Sequence, residues 1–347
     1  MSKANTSETV RPSRLPHRVA VLLGLIVFPL IWLGGLVTTY DAGMAVPDWP
    51  GTYGYNMFLY PLETWLWGPF DLLVEHGHRL LASLSGLVAI LLVVVTVKSE
   101  PRRWVVRLSV ALLLLVILQG ALGGMRVLFD ARVIARIHGC VGPAFFIMVT
   151  GFCVVTSARW HQRRGDSPTT GLGGPARFAT VMLIASFLQL AIGAWLRHIS
   201  IDSPPSLYAM LVVAHVVLAV GLVCGTVIYR WTIGRRAPSG SGMLGTASLL
   251  VLLVLTQFAL GLTTWVVKFG FPIWFADYDF AQQFVVGEKT LQQMNLITAH
   301  VAVGSLILCL WTIQALRVHR WNWWHQQGAA DVPQVDAEQA SGTVPAV

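Results

Sequence analysis

Apolar runs long enough to cross a bilayer recur eight times along the chain, at about 17 to 39, 72 to 97, 104 to 126, 132 to 157, 176 to 197, 207 to 230, 243 to 267 and 290 to 316. A helix needs roughly 20 such residues to span a hydrocarbon core of about 30 Å. The pattern therefore predicts an all-α polytopic membrane protein with eight transmembrane helices. The first run is too long for a signal peptide, lacks a small-residue cleavage site and follows a basic tail of 16 residues. It is read as a retained helix.

The polar intervals organise these runs. The stretch ARWHQRRGDSPTTGLGGPAR after the fourth run has the polar, Gly- and Pro-containing composition of a linker and divides the helices four and four. The expected layout is a tail at 1–16, a four-helix bundle at 17–158, a linker at 159–175, a second bundle at 176–317 and a disordered tail at 318–347, rich in Ala, Gly, Pro and acids. The two bundles are expected to be pseudo-symmetric copies, because a short phrase recurs in the odd-numbered helices. It reads QGALG at 119–123, QLAIG at 189–193 and QFALG at 257–261, with LGG at 33–35 near the matching end of the first run. Glycines in such a phrase let membrane helices approach closely, and a Gln can hydrogen-bond across the gap. The same glycines would also clear room for a flat ligand.

Composition agrees: 55% of the 347 residues are hydrophobic and 12% charged, with 14 tryptophans, and the mean hydropathy is +0.65. If the spans alternate in direction, 17 of the 24 Lys and Arg fall on one side, which predicts cytoplasmic termini in a cell inner membrane. The net charge of +8 then reports topology and gives no reason to expect a nucleic-acid partner. Cys140, Cys153, Cys224 and Cys309 all fall inside apolar spans, so neither a disulfide framework nor a cysteine metal site is expected.

Candidate chemistry comes from four histidines. His78, His138, His215 and His300 occupy the second, fourth, sixth and eighth runs, one each. Every one lies roughly 7 to 11 residues from the outer end of its helix, about 10 to 16 Å down at 1.5 Å per residue. Histidines at one depth on facing helices can supply both axial ligands of a haem iron. The expected pairs are His78 with His138 and His215 with His300. Arg79, Arg126, Arg132, Arg136 and Arg197 lie near the same level, against the overall charge asymmetry, and are candidate partners for haem propionates. Glu75 stands one helical turn before His78, whereas Leu211, Val212, Leu296 and Ile297 hold the matching positions before His215 and His300.

EHGHR at 75–79, AVPDWP at 45–50 and one histidine in each even helix resemble the haem A synthase family, over about residues 17 to 317. The resemblance implies an oxidoreductase that converts the C8 methyl group of haem O to the formyl group of haem A for cytochrome oxidase. It implies that His78 and His138 flank the substrate haem O, and that His215 and His300 ligate a permanent haem B. Glu75 is the candidate catalytic residue, as a carboxylate able to relay protons. Haem O synthase and a ferredoxin-like or quinol electron donor are the implied partners, with membrane lipid around the helices. Some family members carry a cysteine pair in the first outer loop; residues 40–71 contain none, so a thiol relay there is ruled out. That loop and the one at about 268–289 are dense in aromatics and are expected to cover the two sites or to lie at the membrane interface. Two other readings use the same residues. A dihaem bis-histidine cytochrome would only transfer electrons, and a transporter built from parallel repeats would use the histidines as proton or metal sites.

Overall fold

The computed structural model describes residues 13–161, 171–200 and 202–330. Most of the expected N-terminal tail, residues 162–170 of the linker and everything after 330 lie outside the described residues. Eight long helices carry the fold: α1 (Leu15–Thr39), α2 (Phe70–Ser99), α3 (Arg103–Phe129), α4 (Arg132–Thr156), α5 (Gly173–Arg197), α6 (Pro205–Arg236), α7 (Met243–Phe269) and α8 (Leu291–Ala330). All eight are long and apolar enough to cross a membrane. No strand occurs among the described residues, and the one isolated bridge pairs Thr52 with Tyr55. The chain is a multi-pass helical membrane protein.

The ends of the helices follow local chemistry. Pro16 and Pro205 sit in the first turns of α1 and α6, where a missing N–H costs nothing. Asp130, with φ of 44°, closes α3 and turns the chain directly into α4. Gly270, with φ of 82°, ends α7 in a conformation that side chains rarely adopt.

Within the first four helices, α1 packs on α2, α2 on α3, α3 on α4, and α4 returns to α1. Among the last four, α5 packs on α6, α6 on α7, α7 on α8, and α8 returns to α5. α8 also touches α1 and α4, and α4 touches α5. Burial shows which helices are central: 44% of the membrane-length segment of α8 and 39% of that of α4 are buried, against 17% in α5, α6 and α7. In lipid the hydrophobic effect does not drive helices together, so close packing and interhelical hydrogen bonds must. The α1–α8 seam illustrates this. A Cβ at Gly35 would lie 2.8 Å from Thr298 Cγ2, so only glycine lets α1 approach α8 there.

One expectation needs correction. The tail was placed at 318–347, but α8 continues through Ala330. Hydropathy weighs a segment against lipid, and it falls where Arg317, His319 and Arg320 appear. The extension is held instead by protein contacts. Val318 and Trp321 are buried, and the Arg320 guanidinium lies 5.1, 4.5 and 4.8 Å from the rings of Trp160, Trp323 and Trp324. At 1.5 Å per residue the helix is about 60 Å long, twice a hydrocarbon core.

Candidate functional site

The four histidines meet in the expected pairs. The His78 and His138 ring centroids are 6.5 Å apart, and those of His215 and His300 are 6.4 Å apart. In all four rings Nδ1 is buried without a hydrogen-bond partner, a cost the fold accepts four times at equivalent positions. A metal–imidazole bond of about 2.0 Å on each side, plus about 1.1 Å from nitrogen to ring centre, places two trans imidazoles about 6 Å apart. The donor set and spacing therefore fit a metal held between two imidazoles. Among the described residues no group of three or more His, Cys, Asp or Glu could hold a metal ion, so each pair stands alone.

The repeated phrase builds the slots for these rings. A Cβ at Gly34 would lie 3.0 Å from His78 Cε1, one at Gly123 3.1 Å from His138 Cε1, one at Gly193 3.2 Å from His215 Cε1, and one at Gly261 3.2 Å from His300 Cε1. The imidazole of each even helix thus rests on a glycine of the preceding odd helix. The glutamine four residues earlier ties the backbone. Gln119 Nε2 donates to the His138 carbonyl and Gln189 Nε2 to the His215 carbonyl, both at 2.9 Å. Gln257 Nε2 lies against α8 at Gly304, 3.3 Å from where a Cβ would stand. In α1 the corresponding position is Leu30, which has no amide to offer.

At about 100° per residue, EHGHR divides between two faces of α2. His78 turns to the pair, while Glu75, His76 and Arg79 turn to the first outer loop. Arg79 Nη1 donates to the carbonyls of Asp48 at 2.7 Å and Gly51 at 2.9 Å, and Nη2 donates to the Val46 carbonyl at 2.8 Å and to Glu75 Oε1 at 2.7 Å. Glu75 Oε2 accepts the Val46 N–H at 3.0 Å. Both oxygens of this buried carboxylate are thus engaged within the protein. His76, also buried, pairs Nδ1 with Thr52 Oγ1 at 3.1 Å and is flanked by the rings of Tyr60 and Trp65. Asp48 accepts the N–H groups of Tyr53 and Gly54. Burial opposes its ionisation, but those two donors and the Arg79 charge outweigh burial and hold its pKa below the ordinary 3.8.

The five arginines have different surroundings. Arg79 is committed to the loop, and exposed Arg132 donates to Ser200 Oγ at 2.8 Å. The Arg126 guanidinium presses on Gly43, where a Cβ would come within 1.4 Å of Nη2. Arg136 stands over Trp195, its buried Nε without a partner. Arg197 reaches from α5 to the Gly35 carbonyl at 2.7 Å and to Thr39 Oγ1, at the seam between α1 and α8. His198, just past α5, reports this concentration of charge. Burial, then Arg197, Arg126 and Arg136, push its pKa from 6.5 to about 4.

Three residues escaped the sequence reading. Trp49 lies on α3, where a Cβ at Gly124 would come within 2.4 Å of its indole, next to the Gly123 slot. Gly43 matters through Arg126, and His76 through Thr52. AVPDWP and the first histidine of EHGHR are visible signals, but no periodicity says what an irregular loop touches. The 270–290 loop behaves differently: with α7 and α8 it bounds a cavity of about 690 Å³ lined by Leu262, Val266, Phe271, Phe284, Gln293 and Leu296.

Fold and site together define a polytopic helical membrane protein with two half-buried histidine pairs whose Nδ1 atoms are buried. Residues 68–204 match the family described as cytochrome oxidase assembly protein, COX15-CtaA, a segment holding His78 and His138 but ending before His215. The chain is 31% identical over 167 residues to the heme A synthase of Chelativorans sp. (strain BNC1), covering 44% of this chain and 42% of that protein. It is 25% identical over 198 residues to the heme A synthase of Shewanella oneidensis MR-1, covering 51% and 54%. The chain thus spans about half the length of the curated relatives it matches. Over these segments the chain is similar to cytochrome oxidase assembly proteins and to heme A synthases.

Proposed function

We propose that the protein is a haem A synthase, oxidising the C8 methyl group of haem O to a formyl group. The observation that carries the reading is the repetition of one geometry, two imidazoles about 6.5 Å apart on glycine slots, in each set of four helices. On this reading residues 17–158 and 176–317 are two four-helix halves. His78 and His138 hold the substrate haem O, and His215 and His300 hold a resident haem B. Bound haem supplies the redox chemistry, and the chain supplies position and charge. The glycine slots and Gln119 and Gln189 fix the imidazoles. Arg126, Arg132, Arg136 and Arg197 neutralise the propionates, and Arg79 does not, because both of its terminal nitrogens are taken by the first outer loop and Glu75. Glu75 belongs to the first pair, one turn above His78. The charge asymmetry supports an inner-membrane location with both termini cytoplasmic. A ferredoxin-like protein or a quinol would deliver electrons, and haem O synthase would deliver substrate.

The near-identity of the two pairs also suits a dihaem cytochrome that only transfers electrons, and one experiment separates the readings. The protein is purified from a host that makes haem O, its haems are extracted in acid, and chromatography and mass identify them. The synthase yields haem A or its hydroxylated intermediate, lost in Glu75→Ala while haem B remains. Haem B alone, two per chain in wild type and variant, would establish the cytochrome.

A further inference from the structure

Glu75 lies beside the first histidine pair, yet its bonds point away from it. Oε1 holds Arg79, Oε2 holds the Val46 N–H, and Arg79 in turn gathers the carbonyls of Val46, Asp48 and Gly51. The loop so gathered is cross-tied within itself: Asp48 takes the N–H groups of Tyr53 and Gly54, the Tyr53 hydroxyl donates to the Ala45 carbonyl, and Thr52 and Tyr55 exchange backbone hydrogen bonds of 3.0 Å. It behaves as one rigid piece, and α2 is where it is fastened. That piece reaches α3 through Trp49, which covers Gly124 beside the His138 slot, and the turn Ala42–Met44 joined to it by the bond from Ala45 N–H to the Ala42 carbonyl sets Gly43 over the Arg126 guanidinium.

We propose that Glu75 is a positioning residue: with Arg79 it latches residues 45–52 across the outer ends of α2 and α3, and so holds Trp49 and Arg126 against the His78–His138 site. The inference rests on the reading in which that pair receives the substrate. It differs from a proton relay in what the carboxylate does. A relay needs a carboxylate with an oxygen open to the substrate, whereas the latch needs both oxygens bound as they are. A buried guanidinium that loses its carboxylate is left uncompensated, which strongly destabilises the arrangement around it. The latch therefore fails from either end.

The test compares Glu75→Ala, Arg79→Met and wild type in three measurements on the purified full chain. These are amide exchange at Val46, Tyr53 and Gly54, quenching of Trp49 fluorescence by added ferric protoporphyrin with Trp49→Phe as the blank, and the identity of extracted haem. The latch predicts that both variants raise exchange at the three amides at least tenfold. It also predicts that both reduce Trp49 quenching and lose the modified haem, while the haem of the second pair is retained as evidence of folding. Arg79→Met keeps the carboxylate, so loss of all three signals there is not expected of a relay alone. The proposal is overturned if Glu75→Ala abolishes conversion with exchange at wild-type rates, or if Arg79→Met loosens the loop without affecting haem. If wild type converts no haem O, the synthase reading fails, while the exchange data still decide whether the latch exists.

Discussion

Gly123→Ala adds one methyl group where α3 meets the His138 ring. The new Cβ would lie 3.1 Å from Cε1, against ordinary carbon contacts of about 3.5–4.0 Å, so ring or helix must yield by about 0.4–0.9 Å. Metal ligands tolerate about 0.2 Å. Overpacking of this kind costs about 1–3 kcal/mol, equivalent to roughly 5- to 150-fold weaker retention of a ligand that needs the ring in place. Gly120→Ala is the internal control, one turn away on the same helix with nothing within 4 Å of the added carbon. The assay is haem bound per chain after washing, with the absorption signature of axial ligation read on each variant. Gly123→Ala should lose haem or axial ligation at the first pair only, and Gly120→Ala should match wild type. Equal behaviour of the two variants, or an effect of Gly123→Ala on the second pair, would refute the slot.

Gln189→Leu removes the 2.9 Å bond to the His215 carbonyl, and an interhelical hydrogen bond in a membrane contributes about 0.6 kcal/mol and up to about 1.7. A small fall in thermal stability with a broadened His215 signature is expected, and an unchanged melting profile would dismiss the tie. The loop's pH response follows from Asp48. A carboxylate whose folded pKa is depressed contributes stability that is fully present above its unfolded value of 3.8 and is lost as pH falls through the folded value. Amide protection at Tyr53 and Gly54 should hold at pH 5 and fail only below about pH 4, and Asp48→Asn should remove that dependence; loss already at pH 5 would contradict it.

Much of the architecture was legible because lipid imposes a strict condition on helix length and polarity. All eight runs became helices, and the four histidines paired as their depth suggested. The repeated QxxxG phrase was visible, but its purpose was not. Spacing shows that Gln119 and Gly123 share a face, while only the rotation of α3 against α4 shows that one ties the His138 carbonyl and the other receives its ring. The division of EHGHR failed for a related reason. A carboxylate one turn before a histidine looks like its partner, yet the 40° between Glu75 and Arg79 on the helix wheel is small enough for both to face the loop. The length of α8 was hidden because Trp160, Trp323 and Trp324 are distant or flanking in sequence and meet only around Arg320.

Leu30 stands where Gln119, Gln189 and Gln257 stand in α3, α5 and α7. His138 has its backbone tied by the amide of Gln119, and His215 by that of Gln189, while Leu30 offers His78 none and the Gln257 amide lies against Gly304. Each pair thus sets one tied histidine against one that its preceding odd helix leaves untied. On the proposed reading the untied imidazole is the one that yields when a haem enters or leaves, so installing an amide with Leu30→Gln should slow haem exchange at the first pair.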